Sequence, residues 1–240
     1  EVLEPIGKRL KGVRIDSGDI AYLSKKCREL LNEAGLTDCS IVASNSLDEF
    51  IITDLLDQGS ELDSFGVGER LITAKSEPVF GCVYKLVAIE KEGEIIPKIK
   101  LSENEEKITN PGYKKVWRLY DKKTHNPIAD VVTLANEVID DTKPYTIFDE
   151  VHVWKKKKIT NFYAKNLQVP IFLNGECVYE SPKLDEIRSY CKNQVDNLWG
   201  EVKRFTNPHS YYVDLSAELW NCKQDLISQF SFKDGAQSIE

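Results

Sequence analysis

Methionine is missing from all 240 residues, the first position included. Translation starts on methionine, so the chain reads as a fragment or a processed piece. No apolar run approaches the ~20 residues a membrane-spanning helix needs. The opening residues Glu1, Val2, Leu3 and Glu4 carry no signal-peptide pattern. A basic excess is also lacking: 32 Lys and Arg stand against 39 Asp and Glu, a formal charge of -7. That balance argues against general nucleic-acid binding. It leaves local anion sites open, because helix N-termini and single arginines need no basic surface. The six cysteines, Cys27, Cys39, Cys82, Cys177, Cys191 and Cys222, contain no CxxC pair and no Cys/His cluster. A metal site and a disulfide framework are therefore disfavoured, and small reduced residues in a cytoplasmic protein are expected.

What is present is a globular composition, 41% hydrophobic and 30% charged, with room for one large domain or two small ones. The first third alternates strand and helix. Residues 11–15 predict a buried strand, and residues 19–34 a helix with Ile20, Leu23, Cys27, Leu30 and Leu31 on one stripe, stopped by Gly35. Residues 39–43 predict a strand, 47–56 a helix, and 62–65 a shorter strand before a helical turn near Glu69. Three βα units argue for parallel strands, hence a barrel or a doubly wound sheet.

Further along, residues 83–88, 94–101, 114–121 and 128–134 carry β-branched and aromatic residues between turn signals such as Asn110-Pro111-Gly112 and Asn126-Pro127. An antiparallel section follows from that pattern. Residues 169–173 and 176–179 flank Asn174-Gly175, the preferred type I′ hairpin dipeptide. Two helices close the chain. One, over 185–205, carries Ile187, Cys191, Val195, Leu198 and Val202 at helical spacing; the other covers 216–230. Residues 233–240 read as a frayed tail. The division expected is 1–85, 86–182 and 183–240.

Three polar clusters sit just after a predicted strand and just before a predicted helix: Arg14 to Asp19, Ser44-Asn45-Ser46, and Gly66-Val67-Gly68-Glu69. Strand C-terminal ends are where parallel α/β folds build sites. Helix capping alone accounts for Asp, Ser and Asn there, but Arg14 needs an anion. Backbone N–H groups of the glycine loop can approach a phosphate because no side chain blocks them. A dinucleotide fingerprint is only half matched, since Leu71 stands where the third glycine belongs. His125, His152 and His209 lie outside the clusters and read as turn or packing residues. Lys155 to Lys158 read as a solvated face.

The segments GVRIDSGD (12–19), IVASNSLDE (41–49), DSFGVGERLITA (63–74), KLSENEEKITNPG (100–112), QVPIFLNGECVYESP (168–182) and RFTNPHSYYVDLSAELW (204–220) resemble the nicotinate phosphoribosyltransferase family, in the family's order. The resemblance covers nearly the whole chain and matches the later half of members about twice as long. It implies a type II phosphoribosyltransferase fold, here the later βα units of an irregular α/β barrel followed by a β-rich section and C-terminal helices. It implies that nicotinate and phosphoribosyl pyrophosphate (PRPP) are joined to nicotinate mononucleotide and pyrophosphate, with ATP hydrolysis coupled through a phosphorylated histidine and Mg²⁺ accompanying the pyrophosphate. Residue by residue, it implies that Arg14 binds nicotinate, that Asp16, Ser44 and Asn45 bind ribose and PRPP, and that Gly66, Val67, Gly68 and Glu69 bind phosphate. Glu69 departs from the family, where many members have Thr; only its backbone N–H is expected to face a phosphate. The phosphorylated histidine is expected upstream, so no catalytic histidine is assigned here. A homodimer that includes the missing N-terminal half is implied. A nicotinamide-using relative and a non-catalytic phosphate-binding barrel fragment are the alternatives.

Overall fold

The βα rhythm at the start of the chain forms a three-stranded parallel sheet in the computed structural model, which describes residues 3, 5, 7–79, 81–104 and 107–234. Strands β1 (Gly12–Ile15), β2 (Ser40–Ser44) and β3 (Ser64–Gly66) lie in that order. Helices α1 (Ile20–Glu33) and α2 (Glu49–Asp57) follow the first two strands, and the single turn α3 (Glu69–Ile72) follows the third. Both longer helices start on an aspartate whose carboxylate accepts a first-turn N–H, Asp19 from Tyr22 and Asp48 from Ile51. Such caps answer donors that the helix itself leaves unpaired.

Ile15, Leu31, Cys39 and Ile41 form one buried cluster, and Ala21, Ala43, Leu47 and Leu55 another. Leu30, expected on the buried stripe of α1, is exposed. Positions 20, 24, 27 and 31 hold the 3.6-residue period, and position 30 falls about a quarter of a turn off it. Ser24 takes an inward place and donates its hydroxyl to the Ala21 carbonyl at 2.8 Å.

The chain divides into two compact units, Glu1–Val83 and Tyr84–Glu240. In the second, β4 (Ala88–Lys91) and β5 (Glu94–Pro97) form a hairpin, and β6 (Lys114–Asp121) and β7 (Pro127–Leu134) a longer one. Another hairpin, β8 (Tyr145–Phe148) with β9 (Lys156–Ile159), precedes β10 (Phe162–Asn166). Then come the small hairpin β11 (Phe172–Leu173) and β12 (Glu176–Cys177), helices α4 (Leu184–Asp196) and α5 (Gly200–Lys203), strand β13 (Val213–Leu215) and helix α6 (Ala217–Asp234). The main sheet has the order β10-β6-β7-β13, antiparallel except where β13 joins β7 in parallel. Leu119, Ala129, Val131, Ile139, Ile147, Ile159 and Phe162 are its core.

Several sequence expectations change. Residues 83–87 form no strand; pairing starts at Ala88. The strand expected over 94–101 ends at Pro97, and the one over 62–65 shifts to Ser64–Gly66. The helix expected over 185–205 stops at Asp196 and resumes for one turn at Gly200, the least helix-favouring residue in that stretch after proline. Its apolar stripe is not buried: Ile187 is 48% and Val195 47% exposed. The frayed tail lies largely outside the described residues. The Asn174-Gly175 turn is confirmed, both residues having positive φ, 51° and 85°. The six cysteines are unpaired, and no helix among the described residues is long and apolar enough to cross a membrane.

Candidate functional site

Alternation along β1 buries Ile15 and leaves Arg14 on the other face. Arg14 Nη1 donates to Asp16 Oδ1 and to Ser44 Oγ, each at 2.8 Å. Ser44 Oγ in turn donates to the same Asp16 oxygen at 2.8 Å. Asn45 Nδ2 donates to the Asp16 backbone carbonyl at 3.0 Å. Four residues predicted from separate strand ends therefore meet in one network across β1 and β2. The Arg14–Asp16 pair is 62% and 52% exposed, so water screens it and it adds little to stability. Among the described residues only one guanidinium nitrogen is engaged, which leaves Nε and Nη2 as donors for an anion. The second carboxylate oxygen of Asp16 remains as an acceptor.

The loop after β2 is bent hard. Asn45 and Ser46 both have left-handed backbones, φ 85° and 55°. Asparagine tolerates that region better than most residues with a β-carbon.

At the end of β3 the glycine loop comes close to this network. A β-carbon on Gly66 would lie 3.3 Å from Ser44 Cβ, whereas one on Gly68 would meet open space. Val67 packs on the cluster around Ala43 and Leu55. Gly68 precedes α3 with no side-chain cap, and Glu69 is the first, exposed residue of that turn. Their N–H groups have no carbonyl one turn earlier in the helix to bond to.

Arg70 is a residue that sequence reasoning missed. Its Nη1 is ion-paired with Asp48, the cap of α2. The pair joins the two loops that carry Ser44 and the glycines. Asp48 is held below the usual carboxylate range, first by the Ile51 N–H and then by Arg70. An arginine four residues past a glycine, facing a capping aspartate, was a signal only in hindsight of β2 and β3 being neighbours.

The histidines belong to the second unit. His125 sits in a turn with φ 58° beside Tyr163, His152 beside Trp154, and His209 beside Trp199 and Tyr212. Among the described residues, no group of three or more His, Cys, Asp or Glu could hold a metal ion.

Residues 113–223 match the family model described as the nicotinate phosphoribosyltransferase C-terminal domain. The nicotinate phosphoribosyltransferase of Bacillus subtilis (strain 168) is 44% identical over 95% of this chain and 47% of its own length. That of Dictyostelium discoideum is 34% identical over 93% of this chain and 40% of its own. Among solved structures, human Nicotinic Acid Phosphoribosyltransferase superposes with a TM-score of 0.69 at 26% identity, covering 92% of this chain and 41% of that one. Nicotinate-nucleotide pyrophosphorylase from Pyrococcus furiosus gives 0.52 at 26% identity, covering 82% and 42%. The chain spans about half the length of the curated relatives it matches. It belongs, as a partial member with a mixed α/β fold, to the nicotinate phosphoribosyltransferase family.

Proposed function

We propose that this chain supplies part of the active site of an enzyme that joins nicotinate and PRPP to give nicotinate mononucleotide and pyrophosphate. The observation that carries the reading is the Arg14–Asp16–Ser44 network beside the glycine loop, in a chain 44% identical to a nicotinate phosphoribosyltransferase. The free donors of Arg14 form a planar fork that suits the nicotinate carboxylate. Asp16, with Ser44 and Asn45 around it, offers an acceptor to ribose hydroxyls. Backbone N–H groups from Gly66 through Val67 and Gly68 to Glu69 cradle the phosphate, with the Glu69 carboxylate turned away because like charges repel.

In this reading the three parallel strands are later strands of an irregular barrel whose earlier strands belong to the rest of a longer polypeptide. Residues 1–85 carry the site and are followed by the β-rich section 86–182 and the C-terminal helices 183–240, in a cytoplasmic homodimer. ATP and Mg²⁺ are the implied co-reactants. The described residues offer no metal cluster of their own, so any Mg²⁺ would be held by the pyrophosphate and by residues of the rest of the polypeptide. His125, His152 and His209 lie apart from the network in sequence and pack on aromatic rings, so the phosphorylated histidine is assigned upstream.

The test uses a polypeptide of the relatives' length carrying this segment. Arg14→Ala should raise the nicotinate KM by roughly 10²-fold, equivalent to the ~3 kcal/mol of a lost charged pair. Arg14→Lys should rescue poorly, because the bidentate geometry goes. An unchanged KM removes Arg14 from the site. The 240 residues alone should release no nicotinate-dependent pyrophosphate with ATP and PRPP; robust turnover would place the phosphorylated histidine among the three named.

A further inference from the structure

Asp214 in β13 is only 8% exposed, and no hydrogen bond joins its carboxylate to a donor among the described residues, so its oxygens meet only the small amount of solvent left to them. It lines a cavity of 220 Å³ together with Ile147, Phe148, Asp149, Tyr212 and the lysines at 155, 156 and 157. The neighbouring charges are mostly answered. Glu150 pairs with Lys223 at 3.0 Å, and Asp149 accepts the N–H groups of Val151 and His152. Lys157 is paired across β8–β9 with buried Ile147, which turns it to the same face of the hairpin, and its ammonium lies over the rings of Tyr212 and Trp199 at 5.5 and 6.0 Å. What is left over is the carboxylate of the largely buried Asp214, together with the exposed residues Lys155 and Lys156, which line the same cavity and have no ion pair among the described residues.

A buried carboxylate without a donor is costly, and proteins normally answer one with a cation or a hydrogen-bond donor. Burial, and then the charges of Asp149 and Glu150, push the Asp214 carboxyl up to about 6. Even so raised, it is mostly ionised at neutral pH. The cavity walls add a flat apolar surface from Phe148 and Tyr212. A cation at the carboxylate end and an anion at the lysine end satisfy every unanswered charge at once; a simple cation leaves the two lysines repelling it.

We propose that this cavity binds a zwitterionic group, with a guanidinium or primary ammonium seated on Asp214 and a carboxylate or phosphate meeting Lys155 and Lys156. The group comes either from a free small molecule or from an Arg or Lys side chain, with an acidic neighbour, in the remainder of a polypeptide of the relatives' length. The chemistry is the same for both sources, and the inference stands apart from the reading of Arg14 and the glycine loop.

The probe is 4-guanidinobutyrate, with agmatine lacking the anion and butyrate lacking the cation. Binding is followed by NMR chemical shifts of the 240-residue chain and of the longer polypeptide, and the longer polypeptide's structure is solved. For a free ligand, 4-guanidinobutyrate binds both chains and shifts the amides of residues 147–149, 155–157 and 212–214. Asp214→Asn then weakens it at least tenfold, while Lys155→Gln with Lys156→Gln weakens it several-fold and leaves agmatine unchanged. For a side-chain occupant, the longer polypeptide ignores the probe and its structure shows Arg or Lys within hydrogen-bond reach of Asp214. Binding that survives Asp214→Asn, agmatine binding as tightly as 4-guanidinobutyrate, or a longer polypeptide with neither probe nor cationic side chain at Asp214 overturns the proposal. The last reading holds even where the 240-residue variant does not fold.

Discussion

Arg70, two residues past Gly68, is ion-paired to Asp48, the residue that caps α2. One carboxylate thus accepts both a helix N–H and a guanidinium, and two loops that must act together are tied by it. Asp48→Asn should keep the cap, since Asn caps as well as Asp, and lose the ion pair. Asp48→Ala should lose both. Thermal melting should rank wild type above Asp48→Asn above Asp48→Ala. Because the carboxyl is held below its ordinary range in the fold, its contribution is present at neutral pH and lost as acid protonates it. The gap between wild type and Asp48→Asn should therefore close at low pH; a gap that persists there would assign the effect to something other than the charge.

In the second unit, Asp130 accepts Arg118 through both its oxygens at 2.8 Å and the Tyr211 hydroxyl at 3.0 Å. Their side chains are largely covered, 21% exposed for Arg118 and 11% for Asp130. Asp130→Ala strands a guanidinium and should cost about 3–5 kcal/mol in urea unfolding. Tyr211→Phe removes one bond to a charged group and should cost about 1–2 kcal/mol. Equal costs for the two variants would mean that Arg118 finds another partner.

Asp214 gives the opposite sign. Its carboxyl is raised in the fold to about 6, so the folded chain binds a proton that the unfolded chain has released. Stability is fullest below the unfolded value and falls as pH climbs through the folded one. Asp214→Asn should thus be more stable than wild type at pH 7, by roughly 1–3 kcal/mol, with the advantage fading as pH drops towards 4. Saturating 4-guanidinobutyrate should shrink the advantage at pH 7. A variant less stable than wild type at every pH would mean that the carboxylate has a partner in solution.

The two loop glycines should separate. A side chain at Gly68 meets no neighbouring atom, so Gly68→Val should weaken PRPP binding without disturbing Ser44. Gly66→Val pushes on Ser44, which holds Asp16 and Arg14, and should disturb nicotinate and PRPP binding together. Tight PRPP binding by Gly68→Val would move the phosphate to another loop.

Local pattern made the first unit legible. Asp19 and Asp48 announce their helices, the apolar runs announce β1 and β2, and a parallel sheet brings its strand ends together whatever the register. Arg14, Asp16, Ser44 and Asn45 could be grouped for that reason. Arg70 could not, since its partner lies 22 positions away and the pairing depends on how β3 sits beside β2. The second unit was harder. Lys156–Ile159 looks like a solvated run because three lysines hide the one residue, Ile159, that faces the core. Strand β13 holds only Val213, Asp214 and Leu215, too short for any period to show, and its identity as a strand comes from β7 alone.

That last pairing bears on how the chain is made. Val213–Leu215 lies beside Asp130–Val132, so one edge of the main sheet waits for roughly eighty more residues to leave the ribosome, about 4–16 s at ordinary elongation rates. During that interval the outer edge of β7 offers unpaired donors and acceptors next to Val131 and Val132, a template for another nascent chain. Slow synthesis should favour intermolecular pairing, and a holding chaperone that shields the β7 edge should raise the yield of folded protein. A long-range closure of this kind also makes the parallel pair a late event in refolding from denaturant, after the β6–β7 hairpin has formed.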